Sequence, residues 1–299
     1  MKVVYGDRLA KSADEYMQVL HDLSFDHDDT ANTVLCSIAN VDTMLIKQYN
    51  TAIVYDWFGI DDPVKTQHID RENVIFITTN MRCEMTHAKV VRYNFMRNRS
   101  LLMYTETFPI TRSRTRYHLL LSDSSGKSYI QNVYSMDRNK DFLYLNARRQ
   151  TPERDSVEAA LAPFNGYISS KNNKFADDPA QPYAPPSNYY FNDSYYNIVV
   201  ETNLNNDGVV HTTEKIWEPI IKYQIPIVLA TKNYQEYMES LGFVFPIPVF
   251  TDVDTYIKFL IRFFSKDTKL FFKDWQKAVL HNNELFFKLP FDQSIQELY

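Results

Sequence analysis

Short apolar runs rich in β-branched and aromatic residues punctuate this chain, and the stretches between them are polar or carry helical periodicity. "MKVVYG" at residue 1, "TVLCSIA" from Thr33, "TAIVYDWFG" from Thr51 and "NVIFITT" from Asn73 are such runs, with "SADEYMQVLHDL" among the intervening segments. A run that is apolar on both faces reads as a strand covered on both sides, and a helix-patterned crossover is what a parallel neighbour requires. This part of the chain is therefore read as a parallel sheet flanked by helices.

A second series of the same kind follows. It comprises "DFLYLN" from Asp141, a helix in "PERDSVEAALAPF", "GYIS" from Gly166, "YYNIVVET" from Tyr195, a helix opening near Thr213, "IPIVLAT" from Ile225, and the helix "NYQEYMESL" closed by Gly242. Two more helices are expected, from about Val253 and about Asp267. Turn-rich "SDSSGKS" and charged "SMDRNK" separate the two series, which sets a boundary near residue 137 and gives domains 1–136 and 137–299. The segment 172–193, with four prolines, is read as an irregular loop of the kind that lies over a binding cleft.

Composition narrows the function classes. The 299 residues are 44% hydrophobic, enough for two domains of about 150 residues with substantial cores. A net charge of -5 excludes a uniformly basic surface, so a polyanionic partner would need a local patch. Cys36 and Cys83 are too few for a disulfide framework or a thiolate metal site, and no signal peptide or long apolar run is evident. The expectation is a soluble cytoplasmic protein without a membrane span. With 6 glycines and neither GxGxxG nor GxxxxGK[ST], a glycine-rich phosphate loop is not expected.

In doubly wound sheets, ligands sit beyond the carboxyl ends of the strands. Three such ends carry chemistry here. "HTTEKIWEPI" starts at His211; Thr212 and Thr213 are N-cap types, and Ile216, Trp217, Ile220 and Ile221 share one helical face. Lys215 then opposes the helix dipole at a cost of roughly 0.3 to 1 kcal/mol. Either it is an exposed side chain that loses little, or an anion needs both the ammonium and the bare N–H donors. Glu214 is not three residues after a Ser or Thr, so a capping box does not explain it, and its carboxylate is open to sugar hydroxyls. At "ARRQTPER", Thr151 and Pro152 open a helix that Arg148, Arg149 and Arg154 crowd, as a solvated cluster or a pyrophosphate clamp. Glu201 follows the strand "NIVV" as a loop residue or a ligand contact.

Residues 194–243, from "SYYNIVVET" through "HTTEKIWEPI" to "NYQEYMESLGF", resemble the donor-binding stretch of glycosyltransferases with the two-Rossmann GT-B fold. The likeness is to the α-1,3-fucosyltransferase-like family and related phage and bacterial enzymes. "FLYLNARRQTPER" is similar to the opening of the same domain, so about residues 141–245 are covered. The ordered set Glu201, Thr213, Glu214, Lys215, Trp217, Asn233 and Tyr234 carries it. The resemblance implies an α/β fold of two Rossmann-like domains facing a cleft, an N-terminal acceptor domain and a C-terminal nucleotide-sugar donor domain. It implies Lys215 at the donor diphosphate, Glu214 at the ribose, one of Arg148, Arg149 or Arg154 at the diphosphate, and Asn146 and Glu201 lining the pocket with Thr213. Thr212, Ala230 and a longer loop after Glu201 depart from the family, so no nucleotide or sugar is assigned.

Glycosyl transfer builds negative charge on the departing diphosphate, which fixed cations stabilise in place of a metal. "HDD" at 27–29 and "FADDP" at 175–179 lack a metal-spaced ligand set, and no metal or other cofactor is expected. An inverting reaction also needs a base from the N-terminal half: Asp56 first, then Asp61, Asp62 and Glu84. His68, His87, His118 and His211 are isolated, His211 alone lying beside the donor helix. Residues 89–116 carry Lys89, Arg92, Arg97, Arg99, Arg112, Arg114 and Arg116 among Tyr93, Phe95, Tyr104 and Phe108. That mixture suits an acceptor glycan or a DNA base, as in phage DNA modification, and is equally an ordinary charged face. A non-catalytic module binding a nucleotide or sugar phosphate is the alternative from another class.

Overall fold

The computed structural model describes residues 2–4, 33–38, 43–56, 63–78, 80–92, 138–146, 151–169, 188–201, 204 and 209–288. In the first half, strands β1 (Lys2–Val4), β2 (Thr33–Ser37), β3 (Thr51–Asp56), β4 (Val74–Thr78) and β5 (Lys89–Arg92) alternate with helices α1 (Thr43–Ile46) and α2 (Pro63–Ile69). They form one parallel sheet in the order β1-β2-β3-β4-β5. Val34 and Cys36, Ala52 and Val54, and Val74 and Phe76 alternate onto one face, where Ile46 of α1 and Ile69 of α2 cover them. β5 was not anticipated, because its four residues include one exposed lysine and no continuous apolar run.

The second half contributes β6 (Lys140–Leu145), α3 (Pro152–Leu161), β7 (Gly166–Ser169), α4 (Asn188–Asn192), β8 (Ser194–Val200), α5 (Glu214–Ile221), β9 (Ile225–Leu229), α6 (Tyr234–Ser240), α7 (Val253–Phe264), α8 (Lys269–Asp274) and α9 (Gln276–Lys288). A second parallel sheet runs β7-β6-β8-β9. All seven residues of β8 and all five of β9 are buried; β9 is apolar throughout, and β8 is apolar apart from Ser194 and Asn197, whose side chains are bonded to Gln224. Phe250 bridges Leu229 along the outer edge of β9 and closes it.

Helices cover both faces of this sheet. Tyr144, Tyr196, Ile198, Ile227 and Leu229 pack against Val157 and Leu161 of α3 and Tyr256, Leu260 and Phe264 of α7. Val199, Val228 and Ala230 pack on the other face against Ile216, Trp217, Ile220 and Ile221 of α5, Tyr234 and Met238 of α6 and Phe286 of α9. Two expectations are corrected. The end of the predicted proline-rich loop is helix α4, anchored by Phe191 on Leu143, and the rest of that segment up to 187 lies outside the described residues. The helix expected from Asp267 is two, α8 and α9, separated at Trp275. The boundary read near residue 137 falls between β5 and β6, outside the described residues. No helix among the described residues is long and apolar enough to cross a membrane.

Candidate functional site

Strand order reverses between β6 and β8. The chain leaves β6 through α3, packed on one face, and leaves β8 through α5, packed on the other. The two connections diverge from neighbouring carboxyl ends, which is the arrangement that opens a crevice in a doubly wound sheet.

The start of α3 is built locally. Thr151 is extended, with φ -128° and ψ 156°, and its Oγ1 accepts from the Arg154 amide at 3.4 Å, while Pro152 takes the first helical turn. Arg154 is not part of a solvated cluster: it is 7% exposed, and its Nη2 donates to the carbonyl of Val200 at the end of β8, at 2.9 Å. The guanidinium thus lies across the point of reversal. Arg148 and Arg149 fall outside the described residues. Asn146, just past β6, is 1% exposed; its Nδ2 donates to Glu158 Oε2 at 2.9 Å, and its buried Oδ1 receives no hydrogen bond. A buried acceptor without a donor is costly, by about 1 to 3 kcal/mol.

The start of α5 is held by residues distant in the chain. Thr213 caps it with φ -109° and ψ 177°. Its amide donates to Glu201 Oε1 at 3.1 Å and its hydroxyl to Glu201 Oε2 at 2.6 Å, and Tyr234 of α6 donates to Oε1 at 3.1 Å. Glu201, expected to line the ligand pocket, is 3% exposed and faces these protein donors instead. Burial, and then the Glu201 carboxylate beside it, pushes the Tyr234 phenol well above its ordinary value, so it remains a donor. The half-buried Lys215 turns back on its own helix: Nζ donates to Thr213 Oγ1 at 3.1 Å. That oxygen offsets part of the opposition to the dipole that the sequence made conspicuous. Glu214 opens the helix, with its side chain outside the description. Trp217 is fully buried between Phe243 and Phe286. Asn233 precedes α6 in a left-handed conformation, φ 69°.

In the first sheet, Asp56 ends β3, is 4% exposed, and is in register with Thr78, the last residue of β4. Glu84 is exposed in the connection from β4 to β5, and Arg92 folds its Nε onto the Cys83 carbonyl at 3.0 Å. His211 is buried, and His68 and His87 are exposed. Asp61, Asp62, His118, Arg97 and Arg99, with residues 27–29 and 175–179, lie outside the described residues. Sequence reasoning missed Asn80. Its Oδ1 accepts from the Val210 amide at 3.3 Å, and the Met81 amide donates to the Val210 carbonyl at 3.1 Å, so the end of β4 reaches the segment that leads into α5. The only local signal was a polar residue just past a strand end.

No protein-family model matches the chain, and no curated protein matches it. Among solved structures it is similar to a crystal structure of an α1,3-fucosyltransferase with GDP-fucose, with a TM-score of 0.44 and 11% identity over 86% of this chain and 90% of that one. A likeness of that size leaves reaction and ligand to the residues themselves.

Proposed function

We propose that this chain is a glycosyltransferase of GT-B type that moves a sugar from a nucleotide diphosphate sugar to a hydroxyl acceptor, with cationic side chains in place of a metal. The observation that carries the reading is the reversal of strand order between β6 and β8, the place where a doubly wound sheet takes its ligand. Two side-chain-capped helix starts flank it, Arg154 crosses it, and Asn146 brings a buried acceptor without a donor. Helix N-termini offer N–H donors and positive potential to phosphate oxygens. A nucleotide adds the N–H or O–H donor that an unsatisfied Asn oxygen needs. The sequence resemblance over residues 141–245 supports the sugar donor.

In this reading the acceptor oxygen attacks the anomeric carbon as the bond from that carbon to the diphosphate oxygen breaks, and the diphosphate departs with the electron pair. Lys215, the first amides of α5 and one of Arg148, Arg149 or Arg154 stabilise the charge that accumulates there. Glu214 accepts from the ribose. Glu201 acts through Thr213, whose position it fixes. Asp56 takes the acceptor proton, with Asp61, Asp62 and Glu84 the other candidates, and Arg92, Arg97 and Arg99 orient an acceptor glycan or a DNA base.

The test is release of nucleoside diphosphate from a panel of nucleotide sugars. Lys215→Ala should reduce turnover by about 10² or more while leaving the melting temperature unchanged. Turnover within twofold of the parent would overturn the assignment. A thermal shift with nucleotide but no release from any donor would leave a binding module.

A further inference from the structure

Val209 and Val210 are fully buried yet belong to no helix or strand, so their backbone groups need partners from elsewhere. Thr231, after β9, donates its hydroxyl to the Val209 carbonyl at 2.6 Å. Val210 is held on both sides by the loop after β4, through Asn80 Oδ1 and the Met81 amide. Asn80 is itself fixed: its amide donates to Thr78 Oγ1 at 3.0 Å, and its Oδ1 also accepts from the Arg82 amide at 3.0 Å. It is 1% exposed. Three residues beyond Val210 stands Thr213, the cap of α5. The path into that helix start is therefore set from the first sheet as well as the second.

We infer that Asn80 is a positioning residue for the nucleotide site: by binding Val210 it fixes the approach to Thr213 and Lys215 and couples the carboxyl end of β4 to the start of α5. This rests on the function proposed above. Because Thr78 is in register with Asp56, the same bonds tie the strand pair bearing the candidate base to the donor side. Substrate binding on one sheet is then felt at the other.

The variants are Asn80→Ala, Asn80→Ser and Asn80→Asp. Serine keeps a local turn to Arg82 but is too short to span to Val210, whereas aspartate keeps the acceptor. Affinity is measured calorimetrically for GDP, UDP, CDP, ADP and dTDP, and amide hydrogen exchange is followed at residues 80–83 and 209–221. Ala and Ser should weaken the tightest nucleotide about tenfold, the scale of one buried hydrogen bond, and Asp should restore it to within about threefold. In the parent protein, saturating nucleotide should slow exchange at Arg82 and Val210. In Asn80→Ser that response should vanish while the later turns of α5 keep their protection, an outcome that general destabilisation would not give. Should Asn80→Ala fail to fold, the contrast between Ser and Asp carries the test. Affinity of Asn80→Ser within twofold of the parent, or Asp falling with Ser, overturns the inference. If the parent binds none of the five nucleotides, the proposed function fails and the nucleotide-site role of Asn80 fails with it; if the parent binds but exchange at Val210 is unchanged in Asn80→Ser, the function stands and the role of Asn80 is rejected.

Discussion

Replacing Tyr234 with phenylalanine isolates the bond that ties α6 to the start of α5. The ring is 1% exposed within the cluster that holds Trp217, Met238 and Phe243, so Tyr234→Phe keeps the packing and removes only the hydroxyl. That hydroxyl donates to Glu201 Oε1, which still takes the Thr213 amide after the change. A hydrogen bond to a carboxylate contributes about 1.5 to 3 kcal/mol, and the remaining donor puts the expectation at the lower end, about 1.5 to 2 kcal/mol. For a chain of 299 residues that corresponds to a fall of about 2 to 3 °C in melting temperature. Glu201→Gln retains shape but turns one acceptor into a donor, so one of the three protein donors faces an amide; its cost is about 2 to 3 kcal/mol. Guanidinium unfolding followed by tryptophan fluorescence gives both values, and the double variant completes the cycle. The two residues should couple by about 1 kcal/mol or more. A Tyr234→Phe loss below about 0.5 kcal/mol, or single changes that add within that margin, would refute the reasoning that Glu201 organises this helix start.

Gly166 lies beside Phe142 across the β6–β7 pair, and a Cβ there would run into the Phe142 ring. Gly166→Ala should therefore lose about 1 to 3 kcal/mol by overpacking in thermal unfolding, with nucleotide affinity preserved, because the residue opens β7 at the end opposite the crevice. Burial, opposed by Glu218, lowers the Lys222 ammonium from 10.5 to about 8. Below pH 8 the buried charge costs stability; between about 8 and 10.5 the unfolded chain binds more protons than the folded one, so this contribution to stability rises with pH. The stability of Lys222→Met relative to the parent should then fall by about 2 to 3 kcal/mol from pH 7 to pH 10, and a flat difference across that range would refute the assignment.

What the sequence disclosed was local. β8 and β9 were legible because burial on both faces leaves a run dominated by apolar and β-branched residues, broken in β8 only by Ser194 and Asn197, and Thr151 and Thr213 were legible as caps because a cap is decided within four residues. β5 and α4 were not: one is short and partly exposed, and the other depends on Phe191 docking against Leu143 from a proline-rich stretch. At the site, Lys215 was singled out by its conflict with the dipole, while the hydroxyl that accepts from it became visible only in three dimensions. Glu201 has partners 12 and 33 residues away and Asn80 one 130 residues away, separations at which pattern gives no pairing.

Pro219 lies inside α5. Having no N–H, it cannot donate to the Lys215 carbonyl one turn earlier, so the rung that would normally lock the opening of the helix to its body is missing. That opening is one backbone bond short of a regular helix start, which gives the Glu201 tether on Thr213 a larger share in holding it. Selection could therefore reset this helix start by altering Glu201 or Tyr234, which lie beneath it.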